Sequence, residues 1–202
     1  MTIEQISYYT GATAFGITVV CWFAFAVSLL LRKKAGSRPH TTHDPKSWIG
    51  FALQGISFLL VWWIHRTPVF SPLIDQQFAL NIVFQIFAVG LAASSVWLEI
   101  LAFRALGRQW SLEARLIEGH KLITGGAYRI VRHPIYASVL GRLVATGITY
   151  TYWPVLLIAV VIYVVGTKIR TISEEKLLGD AFGKEFYDWK AKVPALIPFV
   201  KF

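Results

Sequence analysis

The stretch from His120 to Tyr136 gathers His120 and His133, Tyr128 and Tyr136, Lys121, Arg129 and Arg132, and the Gly125-Gly126 pair. Apolar runs flank it. Irregular polar backbone in such a setting must face protein or water, never lipid. This collection of donors, backbone N–H groups and aromatic faces suits a small anionic or zwitterionic ligand. A second polar segment, Lys168 to Glu175, follows a later apolar run. On a continuing helix, Arg170 and Glu174 are four residues apart and share a face. Taken alone, they read as an ordinary ion pair at a helix end. Taken alone, His120 reads as a solvated loop residue, His133 as an interfacial histidine, and both tyrosines as interface anchors.

Two further features carry charge. Arg142 lies inside an apolar run, where an unpaired charge is costly and a function is the default expectation. Snorkelling or pairing with Glu99 serves equally well. His40-Thr41-Thr42-His43-Asp44 is too isolated a pattern in a basic loop to make a metal site, and no metal is expected. Leu178, Phe182, Phe186, Trp189 and Val193 recur at helical spacing, so an amphipathic helix is expected there, with its stripe used in packing and Pro194 ending it.

The apolar runs must position these groups. Tyr8 to Leu31, Trp48 to His65 and Phe78 to Phe103 are each long enough to cross a bilayer. Tyr136 to Tyr150 and Pro154 to Val165 are shorter and joined by Thr151-Tyr152-Trp153, the pattern of a helical hairpin. Pro134 forces His133 out of helical geometry and marks the start of the fourth helix. The expected fold is an all-α integral membrane protein with about five transmembrane helices, a C-terminal helical hairpin and a cytoplasmic amphipathic helix. It forms one domain over 1–202, with three spans in 1–103 and the ligand-binding segment, hairpin and tail in 104–202.

Composition agrees. The chain of 202 residues is 55% hydrophobic and 15% aromatic, too apolar for a soluble domain. Cys21 is the single cysteine, so no disulfide framework or thiolate metal site is available. The net charge of +9 resembles a nucleic-acid signal, but the cations flank apolar runs, and topology and anionic lipid explain them better. No nucleic-acid partner is expected. No signal peptide is expected either, since the first residues carry Glu4 and no basic stretch. Arg32, Lys33, Lys34, Arg38 and Lys46 crowd the first loop, whereas the second has only Arg66. The N-terminus is therefore expected outside and the C-terminus in the cytoplasm, with both polar segments on the cytoplasmic side.

Gly126-x-Tyr128-x-x-x-Arg132-His133-Pro134-x-Tyr136, then a hairpin, Arg170-x-x-x-Glu174-Glu175, Phe182-Gly183 and Val193-Pro194, together resemble the isoprenylcysteine carboxyl methyltransferase family, in a prokaryotic-type form. The resemblance spans Gln109 to Phe202. Arg-His-Pro-x-Tyr alone is less specific, because membrane sterol reductases and phospholipid methyltransferases carry similar stretches. The resemblance implies S-adenosylmethionine as methyl donor, bound at the cytoplasmic face without a Rossmann domain. No Gly-x-Gly-x-x-Gly stands in the chain to argue otherwise. It implies that His120, Lys121, Leu122, Ile123, Tyr128, His133, Pro134, Ile135, Tyr136 and Glu174 hold the donor. Arg170 would face the methyl acceptor, with Arg142 as a second acceptor-binding candidate. Glu113 stands where some members place a donor contact.

No residue is assigned as general acid or base, because methyl transfer from a sulfonium asks for alignment and a dry site. A carboxylate acceptor is already ionised and suits a bidentate guanidinium; an amine would have to lose a proton first. Carboxylate O-methylation of a lipid-attached acceptor entering from the bilayer is therefore favoured. The alternatives are phospholipid N-methylation and an NADPH-dependent membrane reductase. Oligomeric state is not legible.

Overall fold

The computed structural model describes residues 1–31, 39–40, 46–109, 116–117, 121–198 and 200. Six helices dominate it: α1 (Ile3–Leu31), α2 (Lys46–Trp63), α3 (Phe78–Leu106), α4 (Pro134–Tyr150), α5 (Trp153–Phe182) and α6 (Lys184–Lys192). The strands among the described residues are two dipeptides, Pro39–His40 and Leu116–Ile117, paired antiparallel. This pairing draws the segment after α1 towards the segment after α3. It has no counterpart in the sequence pattern, because two residues are too few to show a period.

Three helices, α1, α3 and α5, are long and apolar enough to cross a membrane. This is an integral membrane protein by that measure. α2 is apolar but shorter, and α4 has 17 residues. Successive helices alternate in direction. The start of α1 meets the start of α3 where Asn81 donates to Ser7 at 2.8 Å, and His65, just past α2, bridges to Thr151 beyond α4. The opposite end collects the end of α3, the start of α4 and the far part of α5.

α4 and α5 are consecutive and joined by Thr151-Tyr152, as the hairpin pattern requires. Their main partners lie elsewhere, however: α5 runs along α2, and α4 along α3. The α2–α5 contact is backbone-close. A Cβ on Gly50 would fall 2.5 Å from the Gly166 carbonyl oxygen, and one on Gly166 would fall 2.7 Å from that of Gly50. Nearby, Gln54 donates to Thr167 at 2.8 Å. Small residues with a polar link are how helices adhere where lipid leaves little hydrophobic drive.

The amphipathic stripe is divided between two helices. α5 continues unbroken to Phe182 and breaks at Gly183, whose φ of 51° suits glycine. α6 then lies against the protein: Phe186 is fully buried, and Trp189 packs beside Ala102, Ala127 and Tyr128. The packing role expected of the stripe holds, in two helices instead of one.

Candidate functional site

α4 opens at Pro134, with His133 at φ −124° and ψ 64° as the non-helical residue before it. The preceding Gly126–Arg129 forms a single 3₁₀ turn, entered through Gly126 at φ 61°. That turn buries Ala127 and Tyr128 against Ala102 near the end of α3. Ile123, Ile135 and Trp189 join the same cluster.

The two polar segments meet. Tyr136 donates its hydroxyl to Glu174 Oε1, and Arg170 Nε donates to that hydroxyl at 2.9 Å. The Arg170 guanidinium lies 5.4 Å from the Phe51 ring centroid and 5.3 Å from that of Tyr136, and the residue is 4% exposed. Tyr163 fixes the turn from behind, donating to the Tyr136 carbonyl at 3.0 Å. His133 Nδ1 lies 3.4 Å from Glu174 Oε2, and its Nε2 lies 3.0 Å from Glu175 Oε1.

Glu175 is the hub of a second set of contacts. Arg132 Nε reaches its Oε1 at 2.8 Å, and Lys190 Nζ reaches its Oε2 at 2.7 Å. Arg132 also donates to the carbonyls of Lys190 and Val193, which caps the end of α6. The backbone N–H groups of Arg132 and His133 donate to Pro194 and Ala195 at 2.8 and 3.0 Å. The tail is thus stapled to the segment that opens α4.

Charge follows these contacts. Burial would push His133 down, but its hydrogen bonds to Glu174 and Glu175 and their charges prevail and raise it above the usual 6.5. Glu175 stands on α5 beyond the apolar span. Burial would raise it, yet His133, Lys190 and Arg132 hold it well below the ordinary carboxylate range. Burial and the Glu174 charge push the Tyr128 phenol up, so it stays neutral.

A groove of about 630 Å³ opens beside this cluster, between Leu101, Arg104 and Ala105 of α3 and the loop Leu122 to Gly126. A backbone N–H of the loop is anchored nearby, Lys121 donating to Gln109 Oε1 at 2.5 Å. The Trp189 Nε1 is buried without a partner among the described residues.

Of the expected donor-binding residues, Lys121, Leu122 and Ile123 flank or line the groove, and Tyr128 and Ile135 pack in the apolar cluster that shares its wall. His133, Tyr136 and Glu174 meet one another at the start of α4, which Pro134 opens. His120 and Glu113 lie outside the described residues, as do His43 and Asp44. Arg142 stands apart from Arg170. It pairs with Glu99 inside the bundle, both fully buried, under the Phe25 ring at 4.0 Å from its centroid. Ser28 completes the pair by donating to Glu99 at 2.6 Å. Glu175 and Arg132 were named from the sequence only as parts of motifs and Trp189 only in a packing stripe, with no site role, and Lys190 was not named. The adjacency of Glu174-Glu175 and Arg132-His133 was the available signal for the first two; nothing local marks Lys190.

Comparison with known proteins follows this geometry. Residues 83–185 match the model of the phospholipid methyltransferase family, just over half of the chain. The chain belongs to that family. The matched region holds both polar segments. Among curated relatives, the chain is similar to "Protein-S-isoprenylcysteine O-methyltransferase B" of Arabidopsis thaliana, 34% identical over 90 residues, which is 44% of this chain and 45% of that protein. It is similar to "Protein-S-isoprenylcysteine O-methyltransferase" of Schizosaccharomyces pombe, 27% identical over 162 residues, 76% of this chain and 67% of that one. A "Probable protein-S-isoprenylcysteine O-methyltransferase" of Oryza sativa is 33% identical over 105 residues, covering 50% and 54%. The match thus spans about half the length of the plant relatives. These relatives are eukaryotic and lend no support to a prokaryotic-type assignment.

Proposed function

We propose that this chain is an S-adenosylmethionine-dependent methyltransferase that methylates a carboxylate on a lipid-attached acceptor, of the isoprenylcysteine kind, at the cytoplasmic membrane face. The observation that carries this reading is the chain of contacts Arg170–Tyr136–Glu174. It sets a buried cation and a carboxylate side by side where the two polar segments meet. The names of the curated relatives supply the reaction and the acceptor.

The residues present fit the donor. Lys121, Leu122 and Ile123 would hold it along the groove, backed by Tyr128 and Ile135 in the apolar cluster behind, with His120 at the start of the same segment; the buried Trp189 N–H is a donor group still to be matched. Its sulfonium would supply an electrophilic methyl group. Glu174 would accept hydrogen bonds from the donor's ammonium or hydroxyl groups, and Pro134 starts α4 so that Tyr136 faces Glu174. The aromatic faces of Tyr128 and Tyr136 favour a nearby cation. Arg170 orients the acceptor carboxylate, which needs no proton removed. Arg142 Nε and Nη2 have no hydrogen-bond partner among the described residues, but the side chain is fully buried against the Phe25 and Trp22 rings, so an oxygen of the acceptor would reach them only if the helices part.

The topology in this reading has five spans, α1 to α5, with the N-terminus outside and α6 in the cytoplasm. The lysine and arginine asymmetry and the alternating helix directions support it. The acceptor's apolar tail enters from the bilayer between spans.

The test is methyl transfer by detergent-purified protein from radiolabelled S-adenosylmethionine to N-acetyl-S-farnesylcysteine. A base-labile methyl ester is the expected product. Transfer instead to phosphatidylethanolamine, giving a base-stable N-methyl group, would favour the second reading, which the family model's description supports. Binding of NADPH without S-adenosylhomocysteine would mark a reductase.

A further inference from the structure

We infer that Glu175 and His133 form a positioning pair: the His133 imidazolium, held between two carboxylates, sets the Glu174 carboxylate, and Glu175 ties that arrangement to the C-terminal arm. This role rests on the donor reading of Glu174 given above. Neither residue needs to touch a ligand.

Two carboxylates flank the ring and favour its charged form. Nδ1 of His133 faces Glu174 Oε2 at 3.4 Å and Nε2 faces Glu175 Oε1 at 3.0 Å. A neutral imidazole has one N–H, so one ring nitrogen would present a lone pair to a carboxylate. Only the imidazolium donates to both. On deprotonation, one of the two carboxylates must turn away.

Which one turns is decided by their other partners. Glu175 is held by Arg132 at 2.8 Å and Lys190 at 2.7 Å, on two different elements. Glu174 is held on its other oxygen by Tyr136, whose hydroxyl takes Arg170 Nε. Glu174 is the more exposed, its side chain 25% accessible against 12% for Glu175. Loss of the proton therefore releases Glu174 and leaves Glu175 in place. The charged and titratable groups facing His133 are Glu174 and Glu175 from α5, Arg132 beside it, Tyr136 from α4 and, through Glu175, Lys190 from α6; Arg170 acts through Tyr136, and Tyr128 feels the Glu174 charge.

Two substitutions move the His133 titration in opposite directions. Glu175→Gln removes an anion from the imidazolium, so its titration shifts to lower pH. Lys190→Met removes a cation from the Glu175 carboxylate, so the imidazolium is better compensated and the titration shifts to higher pH. Lys190 is 40% exposed, so this variant should fold even where Glu175→Gln does not.

The experiment measures S-adenosylhomocysteine affinity against pH by calorimetry, in parallel with histidine Cε1–H NMR titration, the His133 signal being assigned by its loss in His133→Gln. In the wild type, affinity is expected to fall about tenfold or more as pH rises through the His133 titration, the equivalent of one charge-assisted hydrogen bond. Its midpoint should move down in Glu175→Gln and up in Lys190→Met, following the NMR titration. A midpoint that stays put in both folded variants overturns the positioning role. An affinity that falls equally at every pH, with a parallel loss of melting temperature, does the same, since a merely structural residue behaves so. No S-adenosylhomocysteine binding by the wild type at any pH overturns the donor reading, and this role with it.

Discussion

Arg170 and Glu174 share one face of α5 and are joined through the hydroxyl of Tyr136, which accepts from Arg170 Nε at 2.9 Å and donates to Glu174 Oε1. The phenol is therefore a spacer between a cation and an anion that the proposed function assigns to different ligands. Removing it should damage both halves. Tyr136→Phe is expected to lower donor affinity and turnover together while α4 stays in place, because the Tyr136 carbonyl still accepts from Tyr163. Calorimetry and initial rates check this; a loss confined to turnover would place the hydroxyl with the acceptor alone.

Glu174→Gln tests the donor contact directly. A neutral amide accepts less strongly from an ammonium or hydroxyl, and a charge-assisted bond is worth about 1.5–3 kcal/mol. S-adenosylhomocysteine affinity should fall about 10- to 150-fold. Unchanged affinity would remove Glu174 from the site.

Much of this was legible beforehand because the signals were local. Pro134 after His133 marks the start of α4, and unbroken apolar runs mark α1, α2 and α3. The run Pro154 to Val165 marks only the first part of α5, which continues to Phe182 as one of the three helices long enough to span, while α2 falls short of that length. The meeting of the two polar segments also followed, since alternating spans bring both to one end. The Glu175 hub was not legible. It depends on Lys190 and on the carbonyls of α6 folding back, which hinges on the break at Gly183 and on no periodic pattern. The packing of α5 along α2 was hidden too, because Gly50 and Gly166 are far apart in the chain and each looks like an ordinary helical glycine.

The Gly50–Gly166 crossing gives a stability prediction. A Cβ at Gly166 would lie 2.7 Å from the Gly50 carbonyl oxygen and 2.9 Å from Leu53 Cβ, so the helices must separate. Gly166→Ala should cost about 1–3 kcal/mol by overpacking. Because α5 carries Arg170 and Glu174, turnover should fall as well. A melting curve in detergent identical to wild type would show that the crossing is looser than described.

Topology can be tested with cysteines in exposed positions. Thr67→Cys should react with a membrane-impermeant thiol reagent from outside and Lys176→Cys only from the cytoplasmic side, as the lysine and arginine asymmetry requires. Labelling of both from one side would break the five-span arrangement.

The Arg142–Glu99 pair separates structure from substrate binding. Both side chains are fully buried, so removing one partner leaves the other charged and uncompensated. Arg142→Leu or Glu99→Leu alone should destabilise by about 3–5 kcal/mol, whereas the double substitution should recover most of that, since apolar replacements of a buried pair are often neutral. The double variant then isolates function. It keeps the fold and the Arg170–Tyr136–Glu174 chain but loses the Nε and Nη2 donors of Arg142. If those donors bind the acceptor, KM for N-acetyl-S-farnesylcysteine should rise while S-adenosylhomocysteine affinity is unchanged. Wild-type KM in a stable double variant would confine Arg142 to holding α4 against α3.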